Sequence, residues 1–66
     1  MGNEFNANDI FEVAKQIEQN GAIFYREAAE EVEGEDNKRF LLDLARMEDW
    51  HEQVFITMQS HLAEDA

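Results

Sequence analysis

The chain has 66 residues, no cysteine, and 16 acidic against 5 basic side chains, which gives a net charge of −11. The missing cysteines exclude disulfides, zinc–thiolate fingers, iron–sulfur clusters and thiol nucleophiles, and the charge argues against nucleic acids or anionic membranes as partners. No apolar run is long enough for a membrane span or a signal peptide, which predicts a soluble, cytoplasmic protein. A fold this small is marginal alone, so we expect a bound metal or a second chain to stabilise it.

The first predicted element, helix A, covers about residues 9–33 and follows a flexible tail at residues 1–7. Asp9 and Glu12 have the spacing of a capping box and mark the predicted start of the helix. Along one stripe of this helix, mostly nonpolar side chains recur every three or four residues: Phe11, Ala14, Glu18, Gly21, Tyr25, Ala28 and Val32. This period predicts a helix that turns one face toward a partner.

The most obvious break lies at residues 33–37, where Gly34 suits the left-handed residue that follows a helix end. Asp36 or Asn37 then suits the start of helix B, which we predict over about residues 37–62. Helix B repeats the same period on one stripe: Leu41, Leu44, Glu48, His51, Phe55, Met58 and Leu62. Two such helices joined by a short loop predict an all-α, single-domain chain that folds as an antiparallel hairpin.

A lone hairpin would leave wide apolar faces open, because each helix carries a second apolar stripe beside the first. Two hairpins together would cover these faces as a four-helix bundle. The expected partner is therefore a second copy of the same chain. This predicts a homodimer and leaves open a larger assembly.

Three polar residues interrupt the predicted seam between the helices. Glu18 lies 17 residues before residue 35, the predicted centre of the turn, and His51 lies 16 residues after it. At 1.5 Å per residue, both are expected roughly 25 Å from the turn. Glu48 is one turn away from His51 on the same face, so all three side chains should converge. Gly21, on the same face, either permits close helix approach or leaves space for oxygen.

A buried carboxylate without a partner is costly or becomes protonated, and a bound dication removes that penalty. In a two-fold dimer the three residues would supply four glutamates and two histidines, which is the ligand set of di-iron helical bundles. Carboxylate-rich ligation with one imidazole per metal favours iron or manganese over zinc. Two alternatives stay open: Glu48 and His51 could form a hydrogen-bonded pair that fixes helix register, and Glu52 could be an additional ligand.

The segments IEQNGAIFYREAAEE and KRFLLDLARMEDWHEQVF resemble the ferritin-like superfamily, especially helical pairs of the rubrerythrin type. The residues that carry this resemblance are Glu18, Phe24, Tyr25, Ala28, Phe40, Leu44, Ala45, Glu48 and His51. The spacing from Glu18 to Glu48 and on to His51 is also similar to that of half-length encapsulated ferritins. Those proteins are single hairpins that form a ferroxidase centre across a dimer interface.

The resemblance implies that Glu18, Glu48 and His51 are the iron ligands and catalytic residues, with Glu18 bridging two irons and Tyr25 as an aromatic beside them. It implies a ferroxidase that oxidises two Fe²⁺ per dimer with O₂ or peroxide, for iron storage or detoxification. An encapsulin-type shell is a further partner that it suggests. The alternatives are a non-catalytic, iron-binding or metal-dependent dimerisation module and a rubrerythrin-like di-iron peroxidase, which the missing rubredoxin-like cysteines disfavour.

Overall fold

A computed structural model describes residues 6–65, and this part of the chain forms two helices and no strand. Helix α1 covers Ala7–Glu31 and helix α2 covers Glu35–Asp65. The two helices pack against each other as an antiparallel hairpin, which confirms the predicted all-α fold. Relative to the predicted ranges of 9–33 and 37–62, both helices begin two residues earlier and α2 ends three residues later.

Helix α1 begins with a capping box one turn before the predicted one. The Asp9 backbone N–H donates to Asn6 Oδ1 at 2.8 Å, and the Asn6 backbone N–H donates to Asp9 Oδ2 at 3.2 Å. Asn6 is therefore the N-cap, and the prediction of a capping box at Asp9 and Glu12 was wrong. Glu12 forms an ion pair with Lys15 at 2.9 Å instead. Of the predicted tail, Asn6 and Ala7 belong to the helix start, and residues 1–5 lie outside the described residues.

The turn between the helices uses Gly34 at the start of α2. Helix α1 ends at Glu31, its C-cap Val32 has an extended backbone, and Gly34 has the left-handed φ of 95° that the sequence predicts. The Gly34 carbonyl accepts the Lys38 N–H at 3.1 Å, so this residue opens α2 rather than closing α1. The first residue of the helix is Glu35, two residues before the predicted start at about residue 37.

Small side chains form the buried part of the contact between the helices, and the half-buried rings of Phe11 and Phe55 also meet across it, with centroids 6.3 Å apart. Ala22 is 3% exposed, Ala29 is 5% exposed and Ala45 is fully buried. These three are the core among the described residues, and no large side chain there is fully buried. Alanines let the two backbones approach closely, but they bury little apolar area. The hairpin therefore has a narrow core.

One edge of the hairpin is closed by polar pairs that join α1 to α2. Both partners in these pairs are exposed or half-buried, so each pair stabilises the hairpin by only a fraction of a kcal/mol to about 1 kcal/mol. We call this the polar edge, and its pairs are Gln19 with Glu52 (2.6 Å), Arg26 with Asp49, and Gln59 with Asn8 (2.6 Å) and Glu12 (2.8 Å).

The other edge is apolar and uncovered. Ile17 precedes Gln19 by two residues, and Met47 precedes Asp49 by two. Two residues correspond to about 200° around a helix, so these side chains lie across the helix from the polar edge. We call this surface the open apolar face, and its members, each 47–64% exposed, are Ile10, Val13, Ile17, Phe24, Phe40, Met47 and Met58.

The hairpin is one helix thick. Its Cα atoms extend 50 × 26 × 9 Å, and a stable domain ordinarily packs at least two layers of secondary structure around a core. Neither described helix contains a stretch that is both long and apolar enough to cross a membrane. The protein is thus a single-layer hairpin with an open apolar face, and Glu18, Glu48 and His51 lie within it.

Candidate metal centre

Glu18 from α1 and Glu48 and His51 from α2 lie together at mid-height of the hairpin. His51 Nδ1 is 3.3 Å from Glu48 Oε1 and 3.6 Å from Glu18 Oε2. One potential ligand atom from each residue falls within 4.8 Å of the other two. The structure therefore brings the three predicted residues to one place, and their role as metal ligands stays a prediction.

The local sequence explains why these side chains converge. Glu48 and His51 are three residues apart on α2, so they lie on one face of the helix. Glu18 reaches the same level from α1 because the antiparallel arrangement places α1 and α2 residues opposite each other, as Gln19 and Glu52 show. The Glu18 and Glu48 side chains are 15% and 22% exposed, whereas the His51 side chain is 45% exposed. The cluster is thus covered by the hairpin on the carboxylate side and open on the imidazole side.

The carboxylates of Glu18 and Glu48 repel each other. Loss of hydration raises the pKa of Glu18, and the neighbouring Glu48 carboxylate raises it further, while His51 opposes the shift. His51 is the nearest basic side chain to the pair and is only half-buried. A cation between the carboxylates would remove this repulsion.

The donor set fits a hard or borderline divalent ion. Two carboxylates supply oxygen and one imidazole supplies nitrogen, which suits iron or manganese. Three residues from one chain leave a four- to six-coordinate ion incomplete. The half-exposed His51 side marks the direction from which further ligands would enter.

Other residues that the sequence singled out lie outside the cluster. Tyr25 packs edge-on against Phe24, with ring centroids 5.5 Å apart, and among the described residues no hydrogen bond joins its phenol to the cluster. Its role beside a metal stays a prediction. Glu52 accepts a hydrogen bond from Gln19 on the polar edge, and it does not belong to the group of ligand atoms around Glu48.

No family model matches the chain, and neither a curated protein nor a solved structure gives a significant match. The ferritin-like resemblance therefore stays a prediction made from the sequence. The geometry and chemistry of the cluster carry the functional proposal.

The raised pKa of Glu18 gives a prediction for the metal-free protein. A carboxyl with a raised folded-state pKa adds stability at pH values below its unfolded value of about 4.3, and that stability is lost as the pH rises through the folded pKa. We expect Glu18→Gln to make the metal-free chain more stable at pH 7 and therefore to raise its Tm. The gain should shrink as the pH falls toward 4.

The control for this prediction is Glu27→Gln, which makes the same charge change at an exposed position. Thermal unfolding followed by circular dichroism between pH 4 and pH 8 measures both variants. Divalent metal should stabilise the wild type by mass action but not Glu18→Gln. Equal pH profiles for the two variants would contradict the assignment of the strained carboxylate to Glu18.

Proposed function

We propose that the protein is a ferroxidase that works as a homodimer. Two Fe²⁺ ions would bind at a dinuclear site built from the Glu18, Glu48 and His51 side chains of both copies. The single observation that carries this proposal is the convergence of these three side chains, two carboxylates and one imidazole, whose ligand atoms lie within 4.8 Å of one another. A bound metal ion would also stabilise this cluster, because its two carboxylates repel each other.

Charge balance supports a dinuclear site. Two copies of the cluster contain four carboxylates, which carry a formal charge of −4, and two divalent ions carry +4. The site would thus be neutral inside a bundle, which avoids the large cost of burying net charge. A mononuclear site in the same dimer would leave two carboxylates without a counter-charge.

The shape of the hairpin supports the dimer. The open apolar face lies on the flank of the hairpin opposite the polar edge. The half-exposed His51 lies on the same flank, because it is four residues after Met47 and seven before Met58 on α2. A two-fold contact through this flank would bring the two clusters toward each other and cover the apolar side chains. It would also add the second layer that a one-helix-thick hairpin lacks.

In this proposal the protein residues bind the two Fe²⁺ ions and favour their oxidation. Each Fe²⁺ gives up one electron, and O₂ takes two electrons and two protons to become H₂O₂, so two ions are oxidised per O₂. The carboxylates of Glu18 and Glu48 stabilise the higher charge of Fe³⁺, and His51 binds through Nδ1, the ring nitrogen that faces them. The surrounding apolar side chains limit access of water. The Fe³⁺ product would leave as a mineral precursor for iron storage.

Aerobic addition of Fe²⁺ tests the proposal. We expect the wild type to oxidise Fe²⁺ much faster than buffer does, with a fast phase that ends at one iron per chain, measured at the ferric absorbance band. Glu52→Gln is a matched control, because it removes a carboxylate that lies on the polar edge, and it should keep the fast phase. A wild-type rate equal to that of buffer would contradict a ferroxidase.

A non-catalytic metal-dependent dimerisation module is the second candidate, and the narrow alanine core favours it. A hairpin that buries so little would gain stability from metal-linked association without any turnover. Anaerobic sedimentation with Fe²⁺, run beside the oxidation assay, separates the two functions. Metal-induced dimers without fast oxidation would support the module, and faster consumption of peroxide than of O₂ would support a di-iron peroxidase.

A further inference from the structure

Gly21 lies directly under the carboxylate of Glu48. A Cβ atom built on Gly21 would overlap Glu48 Oε2 and would lie 3.2 Å from Glu48 Cδ and 3.4 Å from Glu48 Cγ. These three nearest atoms all belong to one side chain. The Glu48 carboxylate therefore occupies the space that any other residue at position 21 would fill.

The sequence leaves two roles for Gly21, close approach of the helices or space for oxygen, and the contacts show that the Glu48 carboxylate fills this space instead. If the glycine served close approach, a Cβ atom would meet the backbone of α2, but it meets the end of a flexible side chain instead. Gly21 is also an ordinary helical residue without a positive φ, because Gly34 is the glycine with that torsion. Its backbone conformation does not require glycine.

We propose that Gly21 is a positioning residue for the metal site: its missing side chain lets Glu48 fold across α1 to meet Glu18 and His51. This inference rests on the metal site of the proposed function and concerns how that site is shaped. Glycine inside a helix is unfavourable relative to alanine. The chain thus carries a local loss of helix stability at the one position where alanine would displace a predicted ligand.

The substitution Gly21→Ala should separate folding from metal binding. The new methyl group forces the Glu48 carboxylate to rotate away from Glu18 and His51, while the helix gains a better helix former. We expect the affinity for Co²⁺, a spectroscopic substitute for Fe²⁺, to fall at least about 10-fold, as for lost support of a metal ligand. The Tm of the metal-free protein should stay the same or rise.

Three measurements make the test decisive: Co²⁺ titration by visible absorption, helix content by circular dichroism, and thermal unfolding without metal. Asn20→Ala is the control, because it places an alanine at the neighbouring exposed position, where it removes only a side chain that accepts a hydrogen bond from Gln16, and it should leave Co²⁺ affinity unchanged. The effect of Gly21→Ala on Co²⁺ affinity should also disappear in a Glu48→Ala background, since the two changes act on one ligand.

The outcomes distinguish this inference from the proposed function. Equal Co²⁺ affinity of Gly21→Ala and wild type would overturn the positioning role and leave a ferroxidase possible. A loss of helix content or of metal-free Tm in Gly21→Ala would also overturn it, because it would mean that the methyl group meets the helix backbone. A wild type that binds Co²⁺ more tightly than Gly21→Ala but does not oxidise Fe²⁺ would support Gly21 and overturn the ferroxidase. A wild type that binds no Co²⁺ would overturn both.

Discussion

A chain with Glu48→Gln and His51→Ala is expected to oxidise Fe²⁺ no faster than protein-free buffer and to hold less than about one-tenth of the wild-type metal. The pair removes the imidazole and one of the two carboxylates of the cluster. A single remaining carboxylate per chain cannot hold a divalent ion against its hydration, and in a dimer only the two Glu18 side chains would be left. The rate of iron oxidation and the metal content per chain measure the effect.

The same chain offers a control that makes identical chemical changes elsewhere. Glu27→Gln with His61→Ala also replaces one carboxylate by an amide and one imidazole by a methyl group, and both of these side chains are exposed. This control should keep the wild-type rate and metal content. If both double variants lost activity equally, the loss would follow from total charge, and the cluster would not be the site.

We expect the chain with Glu48→Gln and His51→Ala to keep its fold, so that unfolding would not explain its loss of activity. Glu48 adds to the raised pKa of Glu18, so replacing Glu48 by glutamine relieves repulsion in the metal-free protein. We therefore expect its metal-free helix content to equal that of the wild type. Loss of metal binding without loss of helix content would indicate a metal site. If Glu48 and His51 were instead a structural hydrogen-bonded pair, their removal would destabilise the hairpin.

The hairpin and the level of the cluster could be predicted from the sequence because both depend on spacing alone. A period of three and four residues fixes which face of each helix is buried, and a single break near Gly34 fixes the turn. Counting outward from that turn at a constant rise then brings Glu18 and His51 to one height. Helical geometry is regular enough that such counting is not upset by errors of two to three residues at the helix ends.

Details that depend on side-chain rotamers could not be predicted in the same way. The choice between Asn6 and Asp9 as N-cap is a competition between two capping boxes three residues apart, both permitted by their residue types. The position of Glu48 over Gly21 depends on how a flexible carboxylate crosses to the other helix. The pairing of Gln19 with Glu52 on the polar edge likewise needs the rotation of α1 against α2, which alanines at the contact determine.

In the proposed dimer, association and iron oxidation would both depend on the open apolar face. Ile17→Glu with Phe24→Glu should convert the dimer to a monomer and remove fast iron oxidation, although neither residue is a ligand. Ile17 and Phe24 are 62% and 64% exposed in the hairpin. In a two-fold contact each change acts twice, so losing roughly 1.5 kcal/mol per side chain weakens association by about 6 kcal/mol, or roughly 10⁴-fold.

Ile23→Glu with Ile56→Glu is the matched control, because Ile23 and Ile56 are also exposed but lie outside the open apolar face. Sedimentation measures the mass of both variants, and the iron assay measures their rates at the same protein concentration. The control should remain dimeric and active. An Ile17 and Phe24 variant that is monomeric yet oxidises Fe²⁺ at the wild-type rate would show that one hairpin suffices for catalysis, and the dinuclear site shared between two copies would then be wrong.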